Sequence, residues 1–179
     1  LGRQVDATNG SRLLDMIQTD APIAPGSSGG ALVDASGEVI GITTALAVDD
    51  TGPRGLGFAT PVDVAREVGD QLITTGHATH VWLGVQGDDL DSQTAGTLGI
   101  TGGAQVQQVV KASPAAKAGL TAADVVIAVD DHQITSMGSL MVDLREYRAG
   151  DQVTVTYLRN GRRRTAVAVL AERPATLPS

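Results

Sequence analysis

The chain has 179 residues, 42% apolar and 18% charged, enough for a packed core in one domain or two small ones and too apolar for a disordered segment. A formal net charge of −7 makes nucleic acid and anionic lipid poor partners, and with no cysteine there are no disulfides, thiolate metal sites or cysteine nucleophile. No apolar run reaches the roughly 18 residues that span a membrane.

With 22 glycines and only 2% aromatics, the composition suits strands joined by tight turns around aliphatic cores. The chain opens on Leu1 in what reads as mid-domain sequence, so it is expected to be part of a longer protein. Residues 1–59 read as strands and turns. Ala31-Leu32-Val33 and Val39-Ile40-Gly41-Ile42 flank the turn cluster Asp34-Ala35-Ser36-Gly37, which predicts a β-hairpin. A loop is expected over 49–55, before Leu56-Gly57-Phe58-Ala59. The period then changes. Val64, Val68 and Leu72 recur every fourth residue beside Ala65 and Ile73, predicting a helix over 60–76 with Thr60 as cap, Pro61 at its first position and Gly76 as stop. The small, polar stretch from Thr74 to His80 is the expected domain boundary.

The second half reads as another compact unit. Val106, Val109 and Val110 mark a strand, Ser113-Pro114 to Gly119 a short capped helix, and Val125 to Val129 a buried strand. Leu140, Leu144 and Tyr147 predict an amphipathic helix over 137–148. Val153, Val155 and Tyr157, then Val167 and Val169, alternate as a closing strand pair around Asn160-Gly161. The basic run Arg162 to Arg164 reads as a solvated turn, and the tail 174–179 as loose.

The string that carries chemistry is Pro25-Gly26-Ser27-Ser28-Gly29-Gly30. A serine nucleophile needs an exposed hydroxyl and backbone N–H groups aimed at the developing oxyanion, and flanking glycines allow such a turn. Alone, Gly-Ser-Ser-Gly also reads as a flexible linker. The aliphatic hairpin that follows at once is something a linker does not need.

Residues 18–46, with Gly55-Leu56-Gly57-Phe58-Ala59-Thr60-Pro61 and the helix after it, resemble the HtrA/Deg family of PDZ-bearing serine proteases. The similarity continues through Trp82-Leu83-Gly84-Val85, the Ser113–Leu120 segment, the 137–148 helix and the closing strands. It implies a mainly β protein with a few helices. Residues 1–76 would be the later part of a chymotrypsin-like β-barrel, 77–80 a linker and 81–173 a PDZ domain. It implies Ser28 as nucleophile, the backbone of Gly26 and Ser28 as oxyanion hole, and Ile23 and Leu46 beside an S1 pocket for small aliphatic residues. Two positions depart from the family pattern: Ser27 stands where Asn is usual, and Ala31 where Pro is common. Gly55-Leu56-Gly57-Phe58 spells a string often quoted for PDZ domains, but its place before the first helix reads as a barrel strand.

In the second unit the resemblance implies a carboxylate-binding loop at Trp82, Leu83, Gly84 and Val85, where glycine lets consecutive N–H groups face an anion. The strand after it would accept a peptide as an added strand, with Leu83, Val85, Leu140 and Leu144 around the last side chain. A serine hydroxyl also needs a general base. Only His77, His80 and His132 are present and none precedes Ser28, so the triad His and Asp are expected in preceding sequence and this chain alone is expected to be inactive.

The resulting expectation is an endopeptidase acting through an acyl-enzyme on unfolded or partly folded proteins, with peptide C-termini bound by the PDZ domain. No phosphate loop or metal-ligand spacing occurs, so no cofactor or metal is implied. The family setting is the bacterial cell envelope, periplasmic or extracellular, often with an upstream anchor and as a homotrimer through the complete protease domain. A rival reading keeps the peptide binding and makes the parent a catalytically inactive, chaperone-like envelope protein. A third leaves the PDZ unit as the one working part.

Overall fold

The computed structural model describes residues 3–6, 12–49 and 52–174, and the chain divides into two compact units, Leu1–Ala78 and Thr79–Ser179.

The first unit is built on an antiparallel sheet in the order β1-β2-β5-β4-β3, from β1 (Arg3–Asp6), β2 (Arg12–Thr19), β3 (Ala31–Val33), β4 (Val39–Asp49) and β5 (Gly52–Pro61). Leu14 and Met16 alternate inward on β2 and join Leu32, Phe58 and Ala59 in the buried set. The β3–β4 hairpin forms at the expected turn, where Asp34 Oδ1 accepts from the amides of Ser36 and Glu38 at 2.9 Å each. Gly55-Leu56-Gly57-Phe58 is strand, as read. The loop expected over 49–55 is not observed as such. β4 and β5 stay paired to Val48↔Pro53 and Asp49↔Gly52; Asp50 and Thr51 lie outside the described residues.

Helix α1 (Val62–Thr75) follows, closed by the Gly76 N–H donating to Leu72 O. Its start differs from expectation. The sheet runs on to Thr60 and Pro61, paired with Ile42 and Gly41, so Thr60 caps nothing and its hydroxyl meets that of Thr44 at 2.8 Å. The apolar stripe is present, yet no residue of the helix is buried, and Ile73 is 84% exposed.

The second unit contains β6 (Val81–Trp82), β7 (Val85–Asp89), α2 (Ser92–Leu98), β8 (Ala104–Val109), α3 (Pro114–Lys117), β9 (Val125–Val129), β10 (His132–Gln133), α4 (Met137–Asp143), β11 (Gln152–Arg159), β12 (Arg162–Val169) and β13 (Ala171–Glu172). Its main sheet runs β12-β11-β9-β8-β7, with β10 beside β9, while β13 pairs with β6. Both ends of that path, β12 and β7, are edges. Asn160 and Gly161, both at positive φ, make the two-residue β11–β12 turn. The expected 137–148 helix is shorter: α4 stops at Asp143 and a 3₁₀ turn holds Leu144–Glu146. One core gathers Leu83, Val106, Val126, Ile134, Leu140, Leu144, Val155 and Leu170. Residues 175–179 of the expected loose tail lie outside the described set.

An ion pair between a buried carboxylate and a partly exposed arginine anchors this unit. Asp124 is fully buried and accepts from Arg159 Nε and Nη2 at 2.7 Å each, and Arg159 Nη2 also reaches Gly119 O at 2.8 Å. Burial alone would raise the Asp124 pKa. The Arg159 guanidinium and the Thr121 amide outweigh it and hold the carboxyl below its ordinary value.

Candidate functional sites

The Pro25–Gly30 segment is two consecutive turns. Ser27 N donates to Ala24 O at 3.0 Å, and Gly30 N to Ser27 O at 2.9 Å. Gly26, at φ +95°, makes the first turn possible without strain. Ser27 folds its hydroxyl back to accept from Ala24 N at 3.2 Å, closing the loop on itself. The second turn is pinned to β4: Gly29 N donates to Thr43 O and Thr43 N to Gly30 O, both at 2.8 Å. The buried Thr43 hydroxyl faces Ser27 O and Gly30 O.

Ser28 is exposed at the apex of this pinned pair. Its amide and that of Gly26 have no hydrogen-bond partner among the described residues, whereas those of Ser27, Gly29 and Gly30 are all engaged. Thr43 is the residue here that reasoning from sequence did not single out. A lone threonine in a β-strand gives no signal of a loop pinned to it.

Ile23 and Leu46 are brought to one spot by Gly57. Leu46 pairs across the sheet with Gly57, and a Cβ built on Gly57 would fall 2.3 Å from Ile23 Cδ1. The missing side chain leaves a recess that Ile23 occupies, on the face where Leu46 points.

None of the three histidines stands in the Ser28 turn. His77 follows α1, with Nδ1 3.1 Å from Thr75 O, and His80 precedes β6. His132 lies in the second unit, with Nδ1 2.5 Å from Asp143 Oδ1 and 3.9 Å from Glu146 Oε2. The Asp143 hydrogen bond and charge raise the His132 pKa. No group of three or more His, Asp or Glu among the described residues could hold a metal, and no helix there is long and apolar enough to cross a membrane.

In the second unit the loop at Leu83–Gly84 is fixed through its carbonyls. Leu83 O accepts from Ala115 N at 2.8 Å, and Gly84 O from Val110 N at 2.9 Å and Ser113 Oγ at 3.4 Å. In a trans peptide the N–H opposes the C=O. With both carbonyls turned toward α3 and the end of β8, the N–H groups of Gly84 and Val85 point the other way, to the unpaired side of β7. Gly84 sits at φ +89°, under the Trp82 ring and against Ser113. Leu83 and Leu140, each 1% exposed, pack with Leu144 in the core, and Val85 packs partly buried against them. Leu144 comes from the 3₁₀ turn rather than the helix. Helix α4 lies against β7, and its Met137 N donates to Asp89 Oδ1 at 2.8 Å. A separate hollow of about 500 Å³, lined by Ile100, Ile127, Asp130, Asp131 and Arg163 among others, includes none of the expected peptide-binding residues.

Residues 2–42 match the trypsin-like peptidase domain model, and residues 81–169 match the PDZ domain model. Over 179 aligned residues the chain is 36% identical to the serine protease Do-like HtrB of Bacillus subtilis, covering 94% of this chain and 39% of that protein. It is 37% identical to the periplasmic serine endoprotease DegP of Escherichia coli K12, covering 90% and 34%. A solved structure, "HtrA-type protease AlgW with decapeptide", superposes with a TM-score of 0.73 at 33% identity, covering 96% of this chain and 59% of that one. The chain thus spans between about a third and two fifths of the length of these two curated relatives.

Proposed function

Because the chain belongs to the HtrA/Deg family of PDZ-bearing serine proteases, we propose that it carries the nucleophile and oxyanion hole of a serine endopeptidase, joined to a domain that binds peptide carboxyl ends. The observation that carries this reading is the exposed Ser28 hydroxyl beside the unpartnered amides of Gly26 and Ser28, on a turn pinned by Thr43. Ser28 Oγ attacks the scissile carbonyl and an acyl-enzyme forms as the amine leaves. The two N–H groups meet the oxyanion, a contribution typically of about 3–4 kcal/mol per donor in such sites. Ile23, seated against Gly57, and Leu46 on the same face are the proposed aliphatic neighbours of an S1 pocket that favours a small side chain before the cleaved bond.

The general base and its orienting acid come from residues outside this chain. None of His77, His80 and His132 precedes Ser28, and His77 and His132 hold partners within their own units, so the 179-residue chain alone is expected not to hydrolyse peptides. Residues 1–76 belong to the protease domain and 81–173 to the PDZ domain, joined by 77–80. The relatives named periplasmic support a setting in the cell envelope, and unfolded or partly folded proteins are the proposed substrates. Assembly as a trimer would run through the complete protease domain.

At the second site, the outward N–H groups of Gly84 and Val85 receive the terminal carboxylate, and the peptide adds to the open edge of β7. Leu83, Val85, Leu140 and Leu144 form the floor under the last side chain. Trp82 holds the loop from above.

The test has two arms. The full-length protein is incubated with a permanently unfolded substrate, and cleavage is expected that Ser28→Ala abolishes; a folded wild-type protein with no cleavage supports the inactive peptide-binding reading. For this chain, amidating the carboxyl end of a bound peptide is expected to weaken binding at least tenfold, and unchanged binding rejects the carboxylate loop.

A further inference from the structure

The open edge of β7 has two chemically different faces. Val85, Gly87 and Asp89 pair with Val109, Val106 and Ala104, which belong to or pack against the core, so they face α4. Gln86 and Asp88 pair with Gln108 and Gln105 and lie on the outer face. Asp89 is already engaged by Met137 N. Asp88 is different. It is exposed, and its Oδ2 accepts from Gln107 Nε2 at 2.6 Å. Gln107 is the extra residue of a β-bulge, since Gln86 pairs with Gln108 and Gly87 with Val106. The bulge aims a neutral amide at the carboxylate. That orients Asp88 without compensating its charge, and no Lys or Arg pairs with it among the described residues.

If the groove reading above holds, the direction of a bound peptide follows. Its carboxyl end sits at Gly84, so its upstream residues run toward Asp89, antiparallel to β7. With the last residue opposite Val85, the residue three before it stands opposite Asp88. Directly opposed residues share a face, with Cβ atoms about 4.5–5.5 Å apart. A long cationic side chain at that position reaches the Asp88 carboxylate from the neighbouring strand.

We propose that Asp88 is a specificity-determining residue of this groove, selecting peptides with Lys or Arg three residues before a free carboxyl terminus. The inference rests on the proposed peptide groove, and the test separates the two. Fluorescence anisotropy on the 179-residue chain at low salt compares peptides of one sequence, with an apolar last residue and Lys, Ala or Glu at the third position back. Each peptide is made with a free and an amidated end. A further peptide moves Lys to the second position back, opposite Gly87 and on the other face.

Lys is expected to bind about three- to tenfold tighter than Glu at the third position, the scale of an exposed ion pair and its reversal. Most of the difference should vanish at 1 M salt. Asp88→Asn is expected to bring the Lys-to-Glu ratio close to one, and Asp88→Lys to invert it. A general pull from the net charge of −7 would favour Lys equally at either position, and that outcome overturns the proposal. So does equal binding of Lys, Ala and Glu peptides that still lose affinity on amidation, which leaves the groove standing. If none of the free-ended peptides binds, the groove and the proposal fall together.

Discussion

Gly84→Ala is a sharp probe of the carboxylate loop, because the structure separates two costs. The first is backbone: φ is +89°, where an L-residue loses about 1–2 kcal/mol. The second is overlap. An added Cβ would lie 2.2 Å from Ser113 Cβ, 2.6 Å from Ser113 Oγ and 3.2 Å from the Trp82 ring. Ser113 is buried and its hydroxyl accepts from Ala116 N to cap α3, so it cannot step aside without moving that helix. Overpacking of this kind costs a further 1–3 kcal/mol or so. Gly119→Ala is the control, because Gly119 has a φ of +82° and nothing within 4 Å of the added carbon. Urea unfolding followed by the lone Trp82 is expected to show Gly84→Ala destabilised by about 2–5 kcal/mol and Gly119→Ala by about 1–2. Carboxyl-terminal peptide binding is expected to fail in the first variant alone. Equal stability losses, or normal peptide affinity in Gly84→Ala, would refute the account of this loop.

Arg159→Met strands the buried Asp124 carboxylate and is expected to cost about 3–5 kcal/mol in denaturant unfolding, with Asp124→Asn/Arg159→Met recovering part of it; a loss below about 1 kcal/mol contradicts the ion pair. Because the folded pKa of Asp124 is depressed, its contribution is present above the unfolded value of about 3.9 and lost as pH falls through the folded one. His132 behaves oppositely. Its raised pKa gives stability that is complete below about pH 6.5 and lost as pH rises through the folded value. The imidazole proton titration is expected above 6.5 in the wild type and nearer 6.5 in Asp143→Asn, and no movement would remove the pair. Thr43→Val in the full-length protein is expected to lower kcat more than it raises KM, at a stability cost of about 1 kcal/mol, because the hydroxyl pins the Ser28 turn. An unchanged kcat would make Thr43 a packing residue only.

Much of this architecture was legible in local chemistry. Ser113-Pro114 announces a capped helix start, Asn160-Gly161 a two-residue hairpin, and Asp34 to Gly37 a turn, because each satisfies backbone groups within a few residues. What failed depended on partners far along the chain. Thr60 looks like a cap in isolation, but the Ile42 pairing draws it into the sheet. Gly52-Pro53 reads as loop until Val48 and Asp49 are seen across from it. Helix α2, capped by Asp91 and stopped by Gly99, went unpredicted because its small and polar residues give a weak apolar period. Periodicity found the stripe of α1 and the face of Leu140 and Leu144, yet it cannot tell a covered face from an open one. The Ser28 motif was visible as a string. Its anchorage to Thr43 was not, since a threonine fifteen residues downstream carries no mark of the contact.

Peptide hydrolysis by this protein depends on the reactivity of a single hydroxyl. A fluorophosphonate probe applied to the protein with its complete protease domain, followed by peptide mass mapping, reads it directly. One label per chain on Ser28, absent from Ser28→Ala and from denatured protein, is the predicted result. A folded wild-type protein left unlabelled, or labelled at Ser27 instead, would contradict it.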